Sequence, residues 1–166
     1  MKFYKKEIEN SNVDEKLIGQ KHNNLGSCYA YIKQNQQALK AFNEALKIYA
    51  KYPELDSSNL LKNIGIIYFR SSMYASAETY FEQSINERKA KSPDNEEALL
   101  STYYKLGLCQ KYVSKHEEAI NNLLFSLNIA EKGYPLLNEI LKELAEIYET
   151  QDKFSESLLY YEKLSD

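Results

Sequence analysis

The stretch Leu25-Gly26-Ser27-Cys28-Tyr29, followed by Ala38, Phe42 and Ala45, decides the fold, because its pattern returns three more times. The later copies are Ile64-Gly65 and Tyr68 with Ala77, Phe81 and Ser84; Leu106-Gly107 with Ala119, Leu123 and Ser126; and Leu144-Ala145 and Tyr148 with Ser157, Tyr161 and Leu164. Successive copies are offset by 39, 42 and 38 residues. Regular self-similarity of this kind predicts a repeat protein with four units.

Each copy has the spacing of two helices. The apolar residues of its first half recur at i, i+3 and i+7, which places them on one helix face, and a neighbouring Gly or Ala lets a second helix approach closely. Short polar segments around residues 33–35, 71–72, 113–115 and 150–153 separate the two halves. Pro53, Pro93 and Pro135 fall between repeats, where a helix is free to start. The sequence therefore predicts antiparallel helix pairs.

The pattern resembles the tetratricopeptide (TPR) repeat, in which Leu-Gly takes the seventh and eighth positions, Tyr the eleventh, Ala the twentieth and Phe the twenty-fourth. This resemblance implies an all-α fold, a right-handed superhelix of antiparallel helix pairs. We divide the single domain, residues 1–166, into a partial repeat with linker (1–18) and repeats 1 to 4 (19–57, 58–99, 100–137 and 138–166).

The repeats are longer than the usual 34 residues, which predicts second helices longer by about one to two turns. Long repeats of this kind resemble those of kinesin light chain and of bacterial peptide-sensing regulators. Phe3 precedes Gly26 by the same 23 residues that separate Phe42 from Gly65. Residues 1 to about 10 are therefore expected to be the second helix of an earlier repeat. No polar capping helix follows the last helix, so we expect a piece of a longer protein, or ends that meet partners.

The composition excludes several classes of protein. Five Gly and three Pro among 166 residues leave little room for the turns of an all-β fold. A net charge of −3 gives no basic footprint for nucleic acid, so none is expected to bind directly. No apolar run is long enough to span a membrane, and the first residues lack the apolar core of a signal peptide. We expect a cytoplasmic protein with no membrane partner.

By the resemblance to TPR domains, the first helices line a concave groove whose positions are known in each repeat. The candidate groove residues are Asn24, Tyr31, Lys62, Asn63, Phe69, Arg70, Tyr104, Lys105 and Tyr112. The amides of Asn24 and Asn63 suit the main chain of an extended peptide. The cations, joined by Lys111, lie beside aromatic rings, so we expect a protein or peptide ligand that is acidic or contains aromatic residues.

The fourth repeat reverses the sign of the charge. Residues 134–166 carry a net charge of −5 and residues 1–51 a net charge of +4, which would orient a ligand or a neighbouring copy. Glu139, Glu143, Glu146 and Glu149 form one stripe, which cannot supply the converging oxygens of a calcium site. The carboxylate clamp of chaperone-binding TPR domains is matched only by Asn63, with Lys105 as a partial substitute, so binding of chaperone tails is not expected.

Nothing in the sequence predicts catalysis, a metal site or a cofactor. Cys28 and Cys109 both take the tenth position of a repeat, where Ile67 and Ile147 stand in the other copies, so both are expected in the core and too far apart for a disulfide. His22 and His116 take positions that aromatic residues fill elsewhere. No glycine-rich phosphate loop is present.

Two main hypotheses for function remain. The first is a non-catalytic scaffold that binds a protein or an extended peptide, as a regulatory or interaction region of a larger bacterial protein. The second is an oligomerisation or spacer module that associates through its terminal helices. A third hypothesis, a TPR regulator that carries a DNA-binding or kinase domain outside these residues, is compatible with the expected truncation.

Overall fold

The computed structural model describes residues 15–92, 95–130 and 134–165. These residues form eight α-helices and contain no strand, which confirms the all-α prediction. The helices are α1 (Glu15–Tyr31), α2 (Asn35–Tyr49), α3 (Ser58–Arg70), α4 (Tyr74–Lys91), α5 (Glu97–Tyr112), α6 (His116–Ile129), α7 (Leu137–Thr150) and α8 (Phe154–Lys163). The helix expected at residues 1 to about 10, with Phe3, lies outside the described residues.

Glycine at the eighth position brings the two helices of a pair together. A Cβ added to Gly26 would lie 2.5 Å from the ring of Phe42, and one added to Gly65 would lie 2.7 Å from the ring of Phe81. Neither phenylalanine is exposed at all. The aromatic ring on the second helix therefore fills the space that the missing side chain leaves on the first.

The turn inside each pair is the same four times. Lys33, Ser72, Ser114 and Asp152 all have a positive φ, between 58° and 62°, although none is glycine. The next residue donates its N–H to a carbonyl oxygen five residues earlier, as in the bond from Met73 N to Tyr68 O at 2.9 Å. This is the Schellman arrangement, which satisfies carbonyl groups at the end of the first helix and reverses the chain.

Neighbouring repeats pack through the second helix of one and the first helix of the next. Helix α4 contacts α5, and α6 contacts α7. Within a pair, Ser84 Oγ donates to Ser58 O at 2.8 Å, and Ser126 Oγ makes the equivalent bond to Leu100 O at 2.6 Å. First helices also contact each other, α1 with α3 and α5 with α7. One wall of the molecule is therefore built from first helices, as the groove prediction requires.

The prediction of longer second helices is confirmed for α4 only, which has 18 residues. The second helices α2 and α6 have 15 and 14 residues. In the first repeat the extra length lies in the connection 50–57. Within this connection Asp56 forms an ion pair with Arg88 of the next repeat at 2.8 Å. That connection is thus fixed to the following helix pair.

The two ends of the described stack depart from the repeat pattern. Cys109 is completely buried, as predicted, but the prediction of a buried Cys28 is wrong, because no described helix covers that side of α1. Tyr161 takes the position of Phe42 and Phe81 but is 38% exposed. The fourth repeat has Ala145 in place of glycine, and its Cβ occupies the space that the ring would need.

Candidate binding groove

Three cations of the wall of first helices lie close together between the second and third repeats. Lys62 and Arg70 stand two turns apart on α3, and Lys105 lies on α5. The two lysines are half-buried, and Arg70 is exposed. We call Lys62, Arg70 and Lys105 the basic cluster.

The basic cluster has no carboxylate of its own. Within residues 15–92, 95–130 and 134–165, none of its three side chains forms an ion pair or hydrogen bond. Burial and then the charge of Arg88 lower the pKa of Lys62, while burial and then the charges of Arg70 and Lys62 lower that of Lys105. An anion placed among these groups would therefore be favoured, because it would offset both the burial and the mutual repulsion.

An aromatic group borders the basic cluster. The rings of Tyr74 and Tyr112 stack with their centroids 4.4 Å apart, and Phe69 approaches Tyr74 at 5.5 Å and Tyr112 at 6.0 Å. Tyr112 remains 55% exposed, so part of this surface is accessible. Tyr74 is not among the groove residues that the sequence predicts. Its two neighbours belong to different repeats, Phe69 to the second and Tyr112 to the third. The residue spacing within one repeat therefore does not predict that these three rings meet.

Tyr104 does not offer the open face expected of it. Only 8% of the residue is exposed. Burial, and then the nearby carboxylates of Glu143 and Glu139, raise the pKa of its hydroxyl to about 12. Tyr104 therefore packs beneath the groove at the junction between the third and fourth repeats, because α7 covers it.

Lys111 contributes no free charge to the groove. Its ammonium group lies 2.5 Å from a carboxylate oxygen of Glu143 and 2.5 Å from one of Glu146. Burial alone would lower the pKa of Lys111, but its hydrogen bonds with these carboxylates raise it. Lys111, which the sequence predicts as a groove cation, is therefore neutralised by ion pairs with the next repeat.

The amide residues of the first repeats occupy different environments. Asn63 donates from Nδ2 to Ser27 Oγ at 3.5 Å, and Ser27 in turn donates to Asn23 O at 3.1 Å. Asn24 is exposed, and Tyr31 is 87% exposed near the end of α1. Asn63 therefore lies at the contact between α1 and α3, whereas Asn24 and Tyr31 stand open to solvent at one end of the candidate groove.

A buried polar network lies behind the groove at the same repeat junction. Glu78, only 7% exposed, accepts a hydrogen bond from Gln110 Nε2 at 3.2 Å and two from Lys115 Nζ at 2.9 Å. Asn122 completes it by donating to Gln110 Oε1 at 2.7 Å. Sequence reasoning missed this network. A signal was present, since Glu78 replaces the apolar residues Leu39, Ile120 and Leu158 at the same position of the other repeats.

The geometry defines a class of protein: a stack of antiparallel helix pairs in which the first helix of each pair contributes to one wall. Residues 17–90 match the tetratricopeptide repeat family model. The third and fourth repeats continue the same helix-pair architecture beyond the matched residues, so the chain as a whole resembles the tetratricopeptide repeat family. None of the described helices is both long and apolar enough to cross a membrane.

A curated relative and several solved structures share this resemblance. The chain is 31% identical over 83 residues to histone-binding protein N1/N2 of Xenopus laevis, an alignment that covers 50% of this chain but 14% of that protein. The apo form of RapI shares the fold with a TM-score of 0.81 at 22% identity, over 92% of this chain and 43% of RapI.

The long-repeat resemblance is also confirmed in the fold. TPR-like repeats described as those of a kinesin light chain from Podosopora anserina match with a TM-score of 0.70 and 18% identity. The match covers 89% of this chain and 73% of that one. The chain therefore has the fold of a TPR-type right-handed superhelix.

Proposed function

We propose that this chain is a non-catalytic scaffold that binds an extended segment of a partner protein in its concave groove. The observation that carries the proposal is the basic cluster, three neighbouring cations without a carboxylate partner in the described part of the chain. Unpaired half-buried cations cost free energy in the empty protein, and a ligand carboxylate would remove that cost. The family-model match over residues 17–90 and the similarity to a histone-binding protein support a protein partner.

The chemistry of the groove favours an acidic segment that also carries an aromatic residue. Arg70 can form a bidentate pair with a carboxylate, while Lys62 and Lys105 add positive charge around it. The exposed edge of Tyr112, backed by Phe69, offers an apolar surface to an aromatic or aliphatic side chain. Asn24 can hold the main chain of the same segment at the other end of the groove. A cytoplasmic location and a larger bacterial parent protein remain predictions.

Affinity capture from a lysate of the source cells tests this proposal. Wild-type protein is compared with an Arg70→Glu plus Lys105→Glu double variant, and bound proteins are identified by mass spectrometry. A Lys40→Glu plus Lys47→Glu variant is the matched control, because it makes the same change of charge at exposed positions of α2. The proposal predicts a partner retained by wild type and control but lost by the groove variant. Equal retention by all three proteins would contradict it.

Self-association is the second candidate, favoured by an apolar surface on α8. Phe154, Leu158 and Leu159 are 63%, 56% and 48% exposed. Exposed apolar side chains clustered on one helix are typical of an interface. Sedimentation equilibrium of wild type and a Leu158→Asp plus Leu159→Asp variant tests this alternative. Self-association predicts a mass that rises with concentration in the wild type alone, and a monomeric wild type would rule it out.

A further inference from the structure

The groove changes sign between α5 and α7. On one side lies the basic cluster of Lys62, Arg70 and Lys105, with no carboxylate partner in the described residues. On the other side α7 presents the acidic stripe, which we define as Glu139, Glu143, Glu146 and Glu149. Because first helices of adjacent repeats pack side by side, these two regions face the same ligand.

The acidic stripe is only partly neutralised. Glu143 and Glu146 share Lys111, and Lys142 lies 3.6 Å from Glu146. Glu139 and Glu149 are exposed, and no lysine or arginine pairs with them in the part of the chain that the structure describes. The stripe therefore keeps a net negative charge, and Glu139 is close enough to act on the hydroxyl of Tyr104 across the junction.

We infer that the groove selects a bipolar segment, with an acidic residue at the basic cluster and a Lys or Arg over the acidic stripe. This inference rests on the proposed binding function and specifies its ligand. Packed helices lie about 8 to 10 Å apart, and an extended chain advances about 3.3 Å per residue. The basic cluster spans α3 and α5, so its centre lies roughly one and a half helix spacings, about 12 to 15 Å, from α7. The acidic and basic residues of the ligand should therefore be separated by about three to five residues.

A uniformly acidic segment fits this groove less well. Its carboxylates would meet the basic cluster favourably, but those passing over α7 would lie against Glu139 and Glu149. Like charges brought together in this way cost binding free energy and so reject the wrong partner. The acidic stripe thus acts as the element that discriminates between ligands, while the basic cluster supplies attraction.

Selection from a phage-displayed library of random peptides, about twelve residues long, tests this inference without knowledge of the natural ligand. The library is selected on wild-type protein and on the Arg70→Glu plus Lys105→Glu variant. We expect wild type to enrich peptides that carry an acidic and a basic residue about three to five positions apart. Enrichment of acidic peptides without a basic residue would overturn the bipolar inference and leave the binding function intact. Enrichment that is absent, or identical on the variant, would overturn both.

A charge reversal on α7 gives an independent readout. For one selected bipolar peptide, the Glu139→Lys plus Glu149→Lys variant should bind about tenfold more weakly than wild type by fluorescence anisotropy. A Glu156→Lys plus Glu162→Lys variant is the control, because it makes the same change at exposed positions of α8. Unchanged affinity in the α7 variant, or an equal loss in the control, would contradict the role of the acidic stripe.

Discussion

Lys105 and Lys111 lie on the same helix and were both expected to charge the groove, but the structure gives them opposite environments. Burial, and then the charges of Arg70 and Lys62, lower the pKa of Lys105. Lys111 is held by two carboxylates of the next repeat, and its pKa is raised. The difference teaches that the charge available in a repeat protein depends on what the following repeat presents.

The largest effect is expected from the polar network behind the basic cluster. Glu78→Ala removes the acceptor of Gln110, which is only 4% exposed, and leaves its buried Nε2 donor without a partner, while Asn122 still donates to Gln110 Oε1. We expect the free energy of unfolding in urea to fall by about 2 to 3 kcal/mol. Glu82→Ala, an exposed position of the same helix, is the control and should change little. Equal stability of both variants would show that the network does not hold the two repeats together.

Matched lysine substitutions should move stability in opposite directions. Lys111→Met leaves Glu143 without its cation and Glu146 with only the more distant Lys142, so we expect a loss of about 1 to 2 kcal/mol. Lys105→Met removes a half-buried charge without a partner, so we expect a gain of about 0.5 to 1 kcal/mol. Urea unfolding of the two variants measures both changes in the free energy of unfolding. Two losses of similar size would remove the contrast between these lysines.

The same contrast should appear in the pH dependence of stability. Lys111 lowers the pKa of Glu146, so the pair stabilises the fold above the unfolded carboxyl pKa of about 4.3 and loses that contribution as the pH falls through the lower folded value. Lys111→Met should therefore show a shallower fall in unfolding free energy between about pH 6 and pH 3, by a few tenths to about 1 kcal/mol. Lys105→Met should keep the wild-type slope. The same pH dependence of unfolding free energy in wild type, Lys111→Met and Lys105→Met would contradict a stabilising ion pair between Lys111 and Glu146.

The smallest effect is expected from the turns inside the helix pairs, which are alike in the second and third repeats. Ser72 and Ser114 have φ of 58° and 62°, a conformation that glycine adopts without strain. Ser72→Gly and Ser114→Gly should each raise the free energy of unfolding by about 0.2 to 0.5 kcal/mol, because the relief of strain is partly offset by the greater freedom of glycine in the unfolded chain; thermal unfolding measures the gain. The two gains should be equal, because these turns do not depend on the charge of the groove. A gain at one turn only would indicate that the repeats differ in more than their charges.

The helix pairs could be predicted from sequence because their signals are local. Gly26 with Phe42 and Gly65 with Phe81 repeat at fixed spacing within one unit, and the structure confirms their contacts. The groove was harder to predict from the sequence, because its chemistry depends on contacts between repeats. Lys111 meets residues 32 and 35 positions away, a distance near one repeat length.

The same reason accounts for the wrong expectations about single residues. Tyr104 is covered by the following repeat, and Cys28 is uncovered because no described helix lies on its side of α1. Position within a repeat predicts the direction of a side chain but not the neighbour that it meets. Pairing charged residues one repeat apart on the first helices is the signal that could have found the contact of Lys111.

Partner retention by three single variants tests the central claim most directly, that unpaired groove cations hold the ligand. Lys62→Met, Lys105→Met and Lys111→Met each remove one ammonium group from the same wall. The account predicts that the captured partner is lost or strongly reduced with the first two variants and retained with Lys111→Met. Retention by Lys62→Met and Lys105→Met, or an equal loss with Lys111→Met, would contradict it.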